Sequence, residues 1–177
     1  MLGVYVHIPF CRHKCLYCDF PSYSGLDCYM AGYVPALCRE IAATPYAGKP
    51  VDTIYIGGGT PSILSAPSME AIVRTLRQTF AVTGDAEITI EANPESLDRE
   101  KAEAYVACGI NRLSLGIQSF SDEMLSFLGR IHTAKEGEQA LDAAWKAGIR
   151  NLSIDLMYGL PDQTQAQFLD SVTQCLT

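Results

Sequence analysis

Three cysteines stand close together near the start of the chain. Cys11, Cys15 and Cys18 form a C-x-x-x-C-x-x-C run within eight residues. Thiolates are soft ligands, and three of them at such short spacing are typical of a metal site. An iron–sulfur cluster held by three cysteines leaves one iron open to a small molecule. We therefore predict an iron–sulfur cluster on these three residues.

Spacing alone leaves two alternatives open for this run. Zinc requires four ligands, so His7, His13 or Asp19 would have to complete its shell. Redox-active thiols are the second alternative. The chain has seven cysteines, an odd number that argues against a disulfide framework. The other four cysteines are predicted to be small buried apolar side chains: Cys28, Cys38, Cys108 and Cys175.

A glycine run and several polar residues offer further candidates. The sequence GGGTP at 57–61 matches neither glycine-rich nucleotide fingerprint. It is either a tight turn or a point where the backbone approaches a ligand, because glycine has no Cβ. Arg130 suits a carboxylate through two parallel hydrogen bonds, whereas His132 is predicted to be a surface histidine at a helix start. The polar side chains that either cap turns or bind a ligand are Glu91, Gln118, Arg130 and Asp155.

Five strand-like segments, separated by helical patterns, must position these residues. The strands are predicted at 4–7, 53–56, 87–91, 112–117 and 152–157, and the helices at 27–43, 65–80, 97–108, about 141–147 and from Thr164 onward. Alternating strands and helices predict an α/β fold with a parallel sheet. A doubly wound sheet and part of a β/α barrel both fit. A closed barrel needs about 250 residues, so we expect a partial barrel, truncated after about five βα units.

The candidate residues share one position relative to the strands. The cysteine run follows the first predicted strand, the glycine run the second and Glu91 ends the third, while Gln118 and Asp155 stand at the ends of the last two. Parallel β/α folds bind their ligands at the carboxyl ends of the strands. The sequence therefore predicts one site lined by all five loops.

Composition and charge exclude several classes of protein. The chain of 177 residues is 48% hydrophobic and 19% charged, which is typical of a globular domain and not of a disordered one. Its net charge of −7 argues against nucleic acid or an anionic membrane as a partner. No apolar run approaches the roughly 20 residues of a membrane span. The first ten residues lack the features of a secretory signal, so a cytoplasmic location is expected.

Motifs in five places, in order along the chain, resemble the radical S-adenosylmethionine superfamily. Residues 5–11 (YVHIPFC) and 15–18 (CLYC) carry the resemblance at the cysteines. Four further segments resemble the coproporphyrinogen-oxidase branch of this superfamily: 56–61 (IGGGTP), 90–94 (IEANP), 109–118 (GINRLSLGIQ) and 154–161 (IDLMYGLP). The resemblance implies a partial (β/α)6 barrel. It also implies that residues 1–177 are the superfamily's core domain, incomplete, with its C-terminal remainder absent.

The same resemblance implies the cofactors and their contacts. Cys11, Cys15 and Cys18 would hold a four-iron, four-sulfur cluster, and S-adenosylmethionine would chelate the open iron through its amino and carboxylate groups. The implied contacts to S-adenosylmethionine are Tyr5, Tyr17, Gly58, Gly59, Thr60, Glu91, Gln118, Arg130 and Asp155.

One departure distinguishes two functions within the branch. The oxygen-independent coproporphyrinogen III dehydrogenase of heme biosynthesis is expected to carry another cysteine two positions after the third ligand, where this chain has Phe20. The Cys18-Asp19-Phe20 ending resembles the heme-chaperone group, which binds heme and transfers it to acceptor proteins. A heme chaperone is therefore the implied function, and the dehydrogenase is the alternative. The implied partners are S-adenosylmethionine, heme or a porphyrin, a heme-acceptor protein and an electron donor.

Overall fold

A parallel sheet of five strands organises the chain. The computed structural model describes residues 1–176. The strands are β1 (Leu2–Ile8), β2 (Phe10–Cys11), β3 (Tyr23–Ser24), β4 (Pro50–Gly58), β5 (Ala81–Ala92), β6 (Arg112–Gln118) and β7 (Asn151–Leu156). The five long strands form the main sheet, and β2 and β3 form a separate parallel pair.

Helices connect successive strands of the sheet. They are α1 (Met30–Ala42), α2 (Ala66–Thr79), α3 (Arg99–Cys108), α4 (Asp122–Phe127), α5 (Ala134–Ala147) and α6 (Gln165–Leu176). Short 3-10 helices occupy Asp27–Tyr29, Pro61–Ile63 and Pro94–Ser96. The ends of α5 show why the chain folds this way locally. Thr133 and Glu136 form a capping box at its start, and Gly148 ends it with a φ of 103°, a value that glycine adopts without strain.

The order of the strands decides between the two predicted architectures. The sheet runs β1-β4-β5-β6-β7, with every neighbouring pair parallel. A doubly wound sheet reverses its strand order partway, whereas a β/α barrel keeps the order of the chain. The partial parallel barrel is therefore confirmed.

The core lies between the sheet and the helices that cover it. Side chains of the central strands and of α2 are fully buried, among them Ile54, Ile88, Leu113, Ile72 and Leu76. Successive helices also pack on one another, α1 on α2, α2 on α3 and α3 on α5. Within residues 1–176, no helix combines the length and the apolar character that a bilayer crossing requires.

Several local predictions need correction. Strand β5 begins at Ala81 rather than at residue 87, because Ala81 and Val82 pair with Pro50 and Val51 before the register shifts. The predicted first helix begins as a 3-10 turn at Asp27–Tyr29. Helix α4 was not predicted, because its six residues are too few to show a helical period. The prediction that the four isolated cysteines are buried is wrong, since Cys28 is exposed and the others, Cys38, Cys108 and Cys175, are half-buried.

Candidate functional site

A pocket opens at the carboxyl ends of the five strands. The β1–β4 connection contributes its cysteine-rich part, and the end of each later strand contributes further side chains. Among the lining residues are Cys11, His13, Lys14, Cys15, Tyr17, Cys18, Gly58, Gly59, Thr60, Glu91, Asn93, Ser114, Gly116, Gln118, Arg130 and Asp155. Four of the five expected loops contribute to this site, and the last strand contributes through Asp155 within β7 instead of through its loop.

The segment between β2 and β3, residues 12–22, is called here the cysteine loop. Backbone hydrogen bonds tie its base to the sheet, since Gly59 N donates to Ile8 O at 2.8 Å and Thr60 N donates to Phe10 O at 2.7 Å. Further along, Leu16 N donates to Leu128 O at 3.3 Å. The loop is therefore held by elements that follow it at long distance in the sequence.

The three cysteines of the run are free and line the same pocket. Thr60 Oγ1 donates to Cys11 Sγ and Arg130 Nη1 donates to Cys15 Sγ, each at 3.5 Å. Within residues 1–176, no group of three or more His, Cys, Asp or Glu side chains is placed to hold a single metal ion. Thiolates that bind a four-iron cluster attach to different irons and need not converge on one point. Three thiols around one pocket, two of them with hydrogen-bond donors, form a donor set that fits such a cluster.

The glycine run lies directly against the strand that carries Cys11. A Cβ on Gly59 would stand 2.6 Å from Phe10 O and 3.0 Å from Cys11 Sγ. Gly58 has a φ of +117°, and a Cβ there would stand 2.6 Å from His7 Nδ1. Both interpretations that the sequence left open therefore apply to the glycine run, which forms a tight turn and brings its backbone close to other atoms. The approach is to the cysteine strand itself as well as to the pocket.

Glu91 links the third strand to the glycine run. Its Oε1 accepts a hydrogen bond from Tyr55 Oη at 2.7 Å, and its Oε2 accepts one from Gly58 N at 3.0 Å. Burial of the Tyr55 hydroxyl, together with its hydrogen bond to Glu91, raises the pKa of Tyr55, so this phenol remains a donor. Glu91 therefore holds the glycine run in place while it lines the pocket.

Arg130 crosses the floor of the pocket to the second cysteine. Its Nη2 donates to Asn93 Oδ1 at 2.8 Å and to Gly116 O at 2.6 Å, which uses both protons of that nitrogen. A carboxylate ligand would therefore meet Arg130 at Nη1 or Nε, because Nη2 has no free proton left to donate. Asn93 in turn donates from Nδ2 to Thr60 Oγ1 at 3.2 Å, so Arg130 belongs to a network that reaches the glycine run.

Three other predicted residues show perturbed environments. Gln118 has a φ of 70°, a left-handed conformation that is uncommon outside glycine and typical of functional sites. Burial raises the pKa of Tyr17 to about 12, although the nearby Arg130 opposes the shift. Desolvation also raises the pKa of Asp155, against the opposing charges of Arg130 and Arg112. Such perturbations cluster at binding sites more often than elsewhere on a protein surface.

Tyr5 and His132 are absent from the lining of the pocket, and the predicted contact of Tyr5 with S-adenosylmethionine stays a prediction. Tyr5 is 56% exposed and outside the pocket lining, where its ring stacks on Tyr55 with centroids 6.2 Å apart. His132 does precede α5, but it is 3% exposed and packs against Glu95 and the backbone of Ile117, so the prediction of a surface histidine is wrong. The sequence analysis also missed the two partners of Arg130, which are Asn93 and the backbone of Gly116. Nothing in the spacing of the sequence links them to residue 130.

Comparisons with known proteins agree with this geometry. A sequence model of the radical SAM superfamily matches residues 5–175. The heme chaperone HemW of Synechocystis sp. is 44% identical over 180 residues, covering 98% of this chain and 44% of that protein. The heme chaperone HemW of Escherichia coli is 42% identical, covering 99% of this chain and 47% of that protein.

A solved structure shows the same fold. Coproporphyrinogen III oxidase (HemN) from Escherichia coli, a radical SAM enzyme, matches with a TM-score of 0.90 and 32% sequence identity, covering 98% of this chain and 41% of that one. The chain thus spans a little under half the length of these relatives. Since the superfamily match runs through nearly all of the sequence and the strand order agrees with it, the chain belongs to the radical SAM superfamily.

Proposed function

We propose that this chain, as the core domain over residues 1–177, holds a four-iron, four-sulfur cluster on Cys11, Cys15 and Cys18 and binds S-adenosylmethionine beside it. The observation that carries this proposal is the single pocket in which the three thiols meet the ends of all five strands. The superfamily match over residues 5–175 supports it.

The side chains of the pocket divide the binding task. When bound, the cluster supplies one electron at low potential to the sulfonium of S-adenosylmethionine. Glu91 and Asp155 offer carboxylate oxygens to the amino group and the ribose hydroxyls of the ligand. Arg130 offers Nη1 to the ligand carboxylate, and Gln118 offers an amide from a fixed backbone position. Gly58 and Gly59 line the pocket and would meet the ligand through backbone atoms other than their N–H groups, which already donate to Glu91 Oε2 and Ile8 O.

The proposed activity is that of a heme chaperone, which binds heme and transfers it to an acceptor protein. Phe20 stands where a fourth cysteine would be expected in a coproporphyrinogen dehydrogenase. Two relatives at 44% and 42% identity are heme chaperones, whereas the matching oxidase is 32% identical. We further propose a cytoplasmic location, an electron donor and a heme-acceptor protein as partners, and a heme site that lies largely outside these 177 residues.

The test starts from full-length protein purified without oxygen. Iron and acid-labile sulfide are measured first, and S-adenosylmethionine binding is then followed by equilibrium dialysis. Heme binding is followed by absorbance, and transfer is followed by the appearance of holo-acceptor from an apo-hemoprotein. We expect about four irons and four sulfides per chain, S-adenosylmethionine binding and heme transfer. Zinc without sulfide would contradict the cluster, and turnover of coproporphyrinogen III to protoporphyrinogen IX would contradict the chaperone.

A further inference from the structure

A histidine and a glutamate meet in the interior, each two residues along the chain from a residue that lines the pocket. Glu95 belongs to the 3-10 helix Pro94–Ser96 after β5, and His132 precedes Thr133, the residue that caps α5. The His132 side chain is 0% exposed and the Glu95 side chain is 13% exposed, and His132 Nδ1 stands 3.5 Å from Glu95 Oε2. Neither atom has a hydrogen-bond partner among residues 1–176. Two buried polar atoms that face each other and nothing else require an explanation.

The position of the protons follows from the other contacts of His132. Its Nε2 lies 3.2 Å from Ile117 O, and because a carbonyl oxygen only accepts, Nε2 carries a proton. An unprotonated Nδ1 would then face the carboxylate with two lone pairs opposed, so the contact attracts only when a proton lies between them. Burial by itself raises the pKa of Glu95, but the contact with His132 and the charge of Arg130 lower it overall. A proton on Nδ1 would face the Glu95 carboxylate and make the contact an ion pair.

The pair joins the two segments whose side chains meet in the pocket. Glu95 follows Asn93 by two residues, and His132 follows Arg130 by two residues. Asn93 and Arg130 form the 2.8 Å hydrogen bond of the pocket floor. The backbone oxygen of Glu95 also accepts from Arg12 Nη1 of the cysteine loop at 3.3 Å. One buried contact thus connects the cysteine loop, the end of β5 and the segment before α5.

We propose that the Glu95–His132 ion pair is a positioning device that fixes the Arg130 guanidinium against Cys15 and so sets its place for S-adenosylmethionine. The inference rests on the proposed function and names the residues that support its site. Burying two charges costs free energy, which an apolar pair of similar size would avoid. What the charged pair adds is a contact that favours the placement of the two segments in which the opposite charges meet. The charged groups that face His132 are Glu95 and the Glu136 carboxylate on α5, and Arg130 acts on Glu95 from the side of the pocket residues.

The first test needs neither cluster nor ligand. Nitrogen-15 NMR of the full-length protein, prepared without iron and labelled at histidine, reports which ring nitrogens carry protons. The signals of His132 are identified by their loss in His132→Gln. We expect both ring nitrogens of His132 to be protonated in the wild type and only one in Glu95→Gln, which keeps the shape of the side chain but removes its charge. Identical His132 signals in the two proteins would overturn the ion pair.

The second test measures S-adenosylmethionine binding to the loaded protein by equilibrium dialysis. Removing a residue that orients a ligand-contacting group typically weakens affinity about 10- to 100-fold, and we expect a loss in this range for Glu95→Gln and for His132→Gln. The double variant should bind S-adenosylmethionine no more weakly than the single variant with the lower affinity, because the two residues act as a unit. Thr133→Ala serves as the matched control, since it destabilises the same segment without touching the pair.

The outcomes separate this inference from the proposed function. If Glu95→Gln binds S-adenosylmethionine as the wild type or as Thr133→Ala does, the positioning role is wrong while the cluster stands. If the wild-type protein takes up no iron and sulfide, the proposed function is wrong, and the NMR measurement still decides whether the ion pair exists.

Discussion

At the scale of single residues, Gly59 shows how little room the site leaves. Its missing Cβ lets the β4 backbone approach both the carbonyl of Phe10 and the thiol of Cys11. Backbone atoms cannot move aside as a flexible side chain would, so any larger residue must displace one of the two strands. The requirement for glycine here is therefore steric and does not depend on a ligand.

Gly59→Ala is expected to displace Cys11 and to lower the iron and sulfide content. The added methyl group overpacks the contact, which costs about 1–3 kcal/mol of stability. Metal analysis and urea unfolding measure the two effects. Gly84→Ala is the matched control, because a Cβ at that position meets nothing within 4 Å. A Gly59→Ala protein with full iron content and unchanged stability would contradict the steric argument.

Asp155 provides a test by pH. Partial desolvation raises its pKa in the folded protein above the ordinary value of 3.8, and because Asp155 remains exposed to solvent, its ionised form opposes folding only weakly at neutral pH. This penalty grows as the pH rises from about 3.8 through the folded pKa. Asp155→Asn should therefore unfold at a higher temperature than the wild type at pH 7, with a difference that shrinks as the pH falls towards 4. A constant difference across this range would contradict the assignment, and weaker S-adenosylmethionine binding is expected to accompany the gain.

At the scale of elements, the residues at the helix termini determine where a helix begins and which neighbouring side chains turn inward. The capping box of Thr133 and Glu136 begins α5 one residue after His132, so the same turn that starts the helix also delivers the histidine to the interior. Thr133 Oγ1 accepts from Glu136 N at 3.3 Å, and Thr133 N donates to Glu136 Oε2 at 2.7 Å.

Thr133→Ala is expected to destabilise the protein by about 1 kcal/mol, the typical cost of a lost N-cap. Denaturant unfolding of the wild type and the variant measures the difference. S-adenosylmethionine affinity and iron content should stay unchanged, because Thr133 touches neither the pocket nor the ion pair. A large loss of affinity in this variant would show that the start of α5 influences the pocket by another route.

The elements were also the part of the molecule that the sequence predicts well. Continuous runs of Ile, Val and Leu identify the buried strands, and Gly109 and Gly148 mark helix ends because both adopt positive φ. The partners of Arg130 could not be predicted in the same way, since they are set by which loops meet at one end of the barrel. The prediction for His132 was wrong for a related reason. A polar residue beside a helix start is expected at the surface, and the sequence does not show that Glu95 provides a carboxylate for it in the interior.

At the scale of the whole molecule, the core and the site are nearly independent. The fully buried side chains lie between the sheet and the helices, whereas Cys15 and Cys18 stand on a loop outside that core. Stability and cofactor binding should therefore separate under mutation.

Cys15→Ala is expected to abolish the cluster and to change the stability of the cofactor-free protein by less than about 0.5 kcal/mol, as is usual away from the core. Iron and sulfide analysis, the brown absorbance and thermal unfolding of the iron-free protein provide the measurements. Cys28→Ala is the control, because Cys28 is exposed and does not line the pocket. A Cys15→Ala protein that keeps the absorbance of the wild type would remove this residue from the ligand set.

The contact between Arg130 and Cys15 spans 115 residues of sequence, and this separation has a consequence during synthesis. The thiols leave the ribosome first, and the guanidinium that will pair with the second of them follows after roughly 6–23 s at about 5–20 residues per second. Throughout that interval the nascent cysteines have no folded surroundings. For the proposed cluster, iron and sulfide would therefore be delivered only after the fourth βα unit has emerged, unless the cell shields the thiols until then.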